Sequence, residues 1–253
     1  LQILVSKNVE TILPTILLSA PPKTISKLLS GIPDEQLKKI DFVGALSRFN
    51  DLIVEELPVK INYTLSSLKK LVPYINETNR NDFKPILTSI YKKLKEVPDF
   101  NTKHKYLSVL VECEKHQLVK LDDFKQYLEN SNPLCLKEIL ELYTNIFDRN
   151  DNSIDQINEK YFDVLKKITS SRNKRSLCAL IKLFLNDSEK LKANIGAEQY
   201  DFIYNRLFYP LSFEEKVQSL IIDLLIKNDD WSKFNEIVYD LIEYQSIEHS
   251  KSY

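Results

Sequence analysis

Residues 217–244, VQSLIIDLLIKNDDWSKFNEIVYDLIEY, decide the fold. Val217, Leu220, Ile221 and Leu224 recur three and four residues apart, the stripe of an amphipathic helix. A polar break at Lys227-Asn228-Asp229-Asp230 ends it. A second, more charged helix follows, with Phe234, Ile237, Leu241 and Tyr244 on its stripe. The same order starts three more times upstream, at LSVLVEC (Leu107–Cys113), ILELYTNIF (Ile139–Phe147) and LCALIKLFL (Leu177–Leu185). The starts lie about 30–40 residues apart, the period of helical hairpins that stack on one another. About four such hairpins are expected over 103–246, preceded by irregular helices over 1–100. Together they form one continuous domain, 1–253.

Composition supports an all-α chain. Of 253 residues only 3 are glycine (Gly31, Gly44, Gly196), so the positive-φ positions that hairpin turns require are scarce. Apolar residues make up 43%, ample for a core. There are 0 methionines and no initiator, and Lys, Asn and Ile are in excess. The chain reads as a fragment of a longer protein from an AT-rich genome. Net charge is -1, so no overall field recruits nucleic acid or an anionic membrane.

Cys113, Cys135 and Cys178 are odd in number and set among apolar helix residues. They are expected as buried thiols in a reducing compartment, cytoplasm or nucleus, with the mitochondrial matrix as the alternative. No apolar run approaches the roughly 20 residues of a membrane span. The stretch ILPTILLSA (Ile12–Ala20) lacks the positive flank of a signal peptide and contains Pro14, so a core helix is expected there.

Local signals place further helices. Gly31 and Pro33 close one, and Asp34 opens another running to about Glu56, with Leu37, Ile40, Val43, Leu46, Ile53 and Leu57 near one face and Pro58 as its stop. A helix from Lys60 to Val72 is stopped by Pro73. Asn81 or Asp82 opens another carrying Ile86, Ile90 and Leu94, ended by Pro98. Asn132-Pro133 sets a cap and a first-turn proline, and Ser153/Gln156 and Ser212/Glu215 spell capping boxes. Asp230 caps the last helix.

Over 103–246 the chain resembles the helical-hairpin repeat families: tetratricopeptide, pentatricopeptide and HEAT-like. The segment LIIDLLIKNDDWSKFNEIVYDLIEYQSIEHSKSY (Leu220–Tyr253) is most similar to a pentatricopeptide unit. The small residues of tetratricopeptide contacts are missing, and the irregular spacing suits divergent HEAT-like or pentatricopeptide repeats. The resemblance implies a right-handed α-solenoid of antiparallel hairpins.

Chemistry is thinly signalled. Cys113 and His116 stand three apart on one helix, but a structural zinc takes about four ligands and no second pair exists. Neither a nucleophile elbow nor a phosphate-cradling glycine loop occurs. The acidic pairs Glu55-Glu56, Asp122-Asp123 and Asp229-Asp230 sit at helix ends, as solvated caps do. Sequons at Asn62, Asn76 and Asn186 are no more than chance supplies. No enzyme activity, cofactor, metal or small-molecule substrate is expected.

Charge is unevenly spread. From Lys60 to Lys105 there are 10 Lys/Arg against 4 Asp/Glu, and from Glu214 to Lys251 there are 4 against 9. Lys166, Lys167, Arg172, Lys174 and Arg175 crowd one inter-helix turn, as a solvated turn or as a patch facing RNA phosphate or an acidic partner segment. Tyr200, Tyr204, Phe208 and Tyr209 could stack on bases, but at helical spacing they read as core. The expectation is a scaffold for protein–protein interaction within a larger complex. The alternative is a pentatricopeptide-like protein binding single-stranded RNA in mitochondrial gene expression.

Overall fold

A computed structural model describes residues 9–55, 61–97, 99–120, 132–148, 154–171, 173–208 and 215–251. Among them lie thirteen α-helices, two 3₁₀ turns and no strand. The chain divides into two compact units, Leu1–Gln126 and Tyr127–Tyr253. The apolar stretches beginning at Ile139, Leu177 and Val217 fall in the second unit, and the one beginning at Leu107 falls in the first.

The first unit holds α1 (Val9–Ser19), α2 (Pro22–Ser30), α3 (Asp34–Leu37), α4 (Val43–Glu55), α5 (Ile61–Leu71), α6 (Arg80–Glu96) and α7 (Phe100–Lys115), with a 3₁₀ turn at Val72–Tyr74. Neighbours in sequence pack together, α4 on α5 and α6 on α7. So do helices two apart, α4 on α6 and α5 on α7, while α1 lies on α4 and α2 on α5. The signal-like stretch lies mostly in α1, which carries Pro14 inside it and buries Leu13 and Leu17.

The helix expected from Asp34 to about Glu56 is two helices. α3 is only four residues long with Pro33 as its N-cap, and the chain leaves helix before α4 starts at Val43. The Asp41 carboxylate accepts a hydrogen bond from the Val43 amide at 3.0 Å, restarting the helix by local capping. The break lets Leu37, Ile40 and Phe42 all turn inward, and it leaves Val43 exposed where an unbroken stripe would have buried it. At α6 the N-cap is Asn79, so Asn81 and Asp82 lie inside the first turn. Ile86, Ile90 and Leu94 are buried as their spacing requires. Leu57, Pro58, Pro98, Asp122, Asp123, Ser153, Tyr209 and Ser212 lie outside the described residues.

The second unit holds a 3₁₀ turn (Pro133–Cys135), α8 (Leu136–Asp148), α9 (Ile154–Ser171), α10 (Lys174–Ile195), α11 (Ala197–Arg206), α12 (Glu215–Lys227) and α13 (Trp231–Lys251). Here α8 packs on α9, α10 on α11 and α12 on α13. The helices α8, α10 and α12 also pack in sequence, each on the next of the three, and α9 packs on α11. Asn132 caps its turn through the Leu134 amide at 3.0 Å, and Asp230 caps α13 through the Lys233 amide at 3.3 Å. Leu180, Ile181 and Phe184 on α10 are fully buried. Gly196, at φ +85°, separates α10 from α11 in a conformation that side-chain-bearing residues rarely adopt.

Glycine scarcity shows at two other helix ends. Gln117 (φ 57°) and Asp229 (φ 51°) take the left-handed position after α7 and α12. The following amides, Leu118 to the Cys113 carbonyl at 2.8 Å and Asp230 to the Leu225 carbonyl at 3.0 Å, close both ends as Schellman motifs.

Candidate functional site

The basic turn of the sequence joins α9 to α10 in the second unit, and it is tight. Ser171 ends α9, and its hydroxyl accepts from the Asn173 amide at 3.3 Å. Asn173 in turn caps α10 by accepting from the Ser176 amide at 3.1 Å. Lys166 and Lys167 lie on the last turns of α9, and Lys174 and Arg175 open α10, so four of the five basic residues do converge. Arg172 lies outside the described residues.

The four do not share one role. Lys167 and Lys174 are exposed. Lys166 pairs with Asp163 at 2.6 Å and lies 4.7 Å over the Phe162 ring. Arg175 reaches from α10 to Glu138 on α8, whose side chain is only 1% exposed. Burial pushes the Glu138 carboxyl up to about 7, against the downward pull of the Arg175 guanidinium. Arg175 therefore serves the α8–α10 contact, because withdrawing it would leave a buried carboxyl without its cation.

A pair of rings joins α9 to α11. Phe162 on α9 and Phe202 on α11 meet edge to face, centroids 5.8 Å apart. Lys166 covers the first ring, and the Arg206 guanidinium lies 5.0 Å over the second. Phe202 is 41% exposed. The pair escaped the sequence reading, although its signal was present: each aromatic is followed four residues later by a cation, Phe162/Lys166 and Phe202/Arg206, the spacing of neighbours on a helix face.

Of the aromatics singled out in sequence, Tyr200 is core, Tyr204 and Phe208 lie at its edge, and Tyr209 is outside the described residues. Tyr200 is buried, its ring 4.9 Å from Phe184 and its hydroxyl 2.5 Å from that of Ser188. Tyr204 and Phe208 are half-buried, and the Lys233 ammonium lies 4.7 Å over Tyr204 and 5.3 Å over Phe208. Burial raises the Tyr200 and Tyr204 hydroxyls above the ordinary tyrosine range.

A third feature is the last hairpin of the second unit. Ile226 at the end of α12 and Trp231, Tyr239 and Ile242 on α13 are 46%, 53%, 69% and 63% exposed. These are large apolar side chains where solvent-facing helices usually carry polar ones.

In the first unit an open cleft of about 510 Å³ borders Tyr74, His116, Lys38 and Asp34. Its charges satisfy one another: Lys70 meets Asp34 at 2.6 Å, Lys38 meets Glu35 at 2.7 Å, and His116 Nε2 lies 3.3 Å from Glu112. Burial and the bond to Asp34 raise the Tyr74 hydroxyl to about 12. Cys113, Cys135 and Cys178 are buried and form no disulfide, and burial pushes the Cys113 thiol far above its ordinary range. Its neighbour His116 caps α7. Among the described residues no group of three or more His, Cys, Asp and Glu side chains could hold a metal, and no helix is long and apolar enough to cross a membrane.

No protein-family model matches the chain, and no curated protein or solved structure is significantly similar to it. Membership of the HEAT-like or pentatricopeptide families is therefore not established.

Proposed function

We propose that the chain is a non-enzymatic helical-repeat scaffold, an α-solenoid whose stacked hairpins bind a protein partner within a larger complex. One observation carries the reading. In the second unit α8, α10 and α12 pack in turn on one another and each on the helix that follows it, and in the first unit α4 to α7 repeat the pattern, α4 on α5 and α6, and α7 on α5 and α6. Stacked hairpins give this pattern, because each hairpin buries its apolar face on the next and leaves an outer surface for partners. The exposed apolar side chains of the last hairpin support it further. Three buried thiols suit a reducing compartment, cytoplasm or nucleus.

The test is isolation of the chain at physiological salt from cells that make it, with bound protein and RNA both quantified. A protein partner near one-to-one is the expected result. Tight RNA binding with no stoichiometric protein would end the scaffold reading.

The aromatic pair favours a second reading, a single-stranded RNA surface, because rings flanked by cations can stack bases and hold phosphates. Its probe is Lys166→Glu/Lys167→Glu/Arg206→Glu, which spares Arg175 and so leaves the Glu138 contact in place. If RNA is the ligand, this variant weakens binding to an oligouridine strand and flattens a salt dependence of about −0.7 per phosphate contact. Equal binding by the variant and wild type would remove this reading.

A further inference from the structure

We propose that the outer face of α6 is a docking ridge for an acidic helix of a partner protein; this deepens the scaffold reading and rests on it. Phe83, Ile86, Ile90 and Leu94 turn inward from α6. Its outer side carries Arg80, Lys84, Lys92 and Lys95, all exposed. At about 100° per residue these cations fall within about 120° of one another, and Thr88, also exposed, lies inside that arc. Arg80, Lys84, Thr88 and Lys92 follow at four-residue steps of about 6 Å, and as far as Lys95 the ridge is about 22 Å long. The acids of α6, Glu96 and Asp82, stand about 40° and 80° beyond Lys92. That is the flank where Ser89 bonds Asn50 of α4 at 2.8 Å.

Charge on the ridge is unbalanced. On other helices a lysine sits one turn from an acid, as Lys38 does from Glu35, Lys137 from Glu141 and Lys166 from Asp163. On α6, Lys92 meets Glu96 at 3.8 Å, but Lys84 and Lys95 meet no carboxylate among the described residues. Arg80 donates to a neutral acceptor, the Gln117 carbonyl, at 3.2 Å. Arg80 and Lys84 stand four residues apart and Lys92 and Lys95 three, spacings at which like charges repel. An anion laid along the ridge relieves that repulsion.

The rest of the face says which anion. α6 exposes no large apolar side chain to enter a lipid surface. Of its two rings Phe83 is buried and Tyr91 half-buried, so bases have no stacking platform. A partner helix with Asp or Glu at every fourth residue repeats the same step of about 6 Å and complements the ridge by charge alone. A second copy docking through its own α6 would set these cations against their like.

The probes are two labelled, alanine-rich helical peptides of one composition, with their glutamates on one face or scattered around the helix. At physiological salt the one-faced peptide should bind the full chain at least about tenfold tighter than the scattered one, and added salt should weaken it. Lys84→Glu/Lys95→Glu should abolish that preference. The variant keeps its helix content, because each new carboxylate gains Arg80 or Lys92 one turn away. No binding, equal binding of the two peptides, or binding unaltered in the variant overturns the proposal. So does tighter binding of an oligouridine strand of equal charge or of phosphatidylserine vesicles.

A photocrosslinker at Thr88 in the full chain, in the cell, names the occupant. A captured protein segment with acids at helical spacing along one face supports the assignment. A neutral or basic segment, RNA, a second copy of the chain, or no capture overturns it. The same crosslinker at Lys174 separates two failures. A protein captured there but not at Thr88 leaves the scaffold standing without this ridge, and no protein at either position removes both.

Discussion

The two units are held together by different chemistry. In the first, the core is largely aliphatic, and its most informative polar contact serves the backbone. Arg48 on α4 donates to the Leu17 and Ala20 carbonyls at the end of α1, both at 2.6 Å. Those carbonyls have no partner within α1, and a cation at a helix C-terminus also opposes its dipole. In the second unit rings and charges do the joining. Tyr161 packs on Tyr143 and Phe147, Phe184 on Tyr200 and Tyr204, and Arg175 reaches the buried Glu138. Rings and cations have polar edges that tolerate water, so the same residue types continue from core to surface at Phe162, Phe202 and Trp231. Hence the candidate surfaces that carry rings lie in the second unit.

The comparison breaks first at Phe184. Phe184→Ala empties a fully buried ring site between Tyr200 and Tyr204 and should cost roughly 3–5 kcal/mol, read from denaturant midpoints. An unchanged midpoint would mean that aromatic packing is not what holds the second unit.

Next comes the ion pair. Arg175→Met leaves Glu138 buried without its cation and should cost about 3 kcal/mol, whereas Glu138→Leu/Arg175→Met together should recover most of that loss. The same carboxyl makes stability depend on pH. It is held near 7 in the folded chain and titrates near 4.5 when unfolded, so the native state binds more protons between those values. Stability relative to Glu138→Gln should therefore be greatest below about pH 4.5, fall by about 3 kcal/mol as pH rises to 7, and stay level above. A difference that grows with pH would show that Arg175 outweighs burial.

A smaller effect tests the first unit. Arg48→Ala deprives two carbonyls of a charged donor and should cost about 2 kcal/mol in thermal unfolding. No loss would mean that water replaces the guanidinium, and the contrast between the units would narrow. The smallest effect is a gain. Gln117→Gly should stabilise by about 1 kcal/mol, because its left-handed backbone strains any residue with a Cβ. A loss would show that the Gln117 side chain contributes contacts outweighing that strain.

Much of this molecule could be read residue by residue. Ile86, Ile90 and Leu94, or Leu180, Ile181 and Phe184, are buried because a helix returns every third or fourth side chain to one face. Asn132 and Asp230 cap as read, because a cap's partner is two or three residues away. The failure at Asp34 to Glu56 came from the same locality. A periodic stripe does not reveal a break at Lys38–Phe42 that re-phases it, and Phe42 displaced Val43 from the interior.

Of the basic turn, the sequence showed that five cations crowd together, and only the fold separated their roles. Arg175 meets Glu138 across 37 positions, and Phe162 meets Phe202 across a comparable span. Helix and cap signals act within about four residues, through the backbone's own hydrogen bonds. Which charge goes inward and which stays in water depends on the helix that packs alongside, and no local pattern encodes that choice. Local sequence, the amphipathic stripes together with the proline and cap signals, determined that the described residues are largely helical and where several of those helices end. Tertiary packing decided that Arg175 is spent on the core, that Lys166 and Arg206 lie over the Phe162 and Phe202 rings, and that Trp231, Tyr239 and Ile242 of α13 stay exposed.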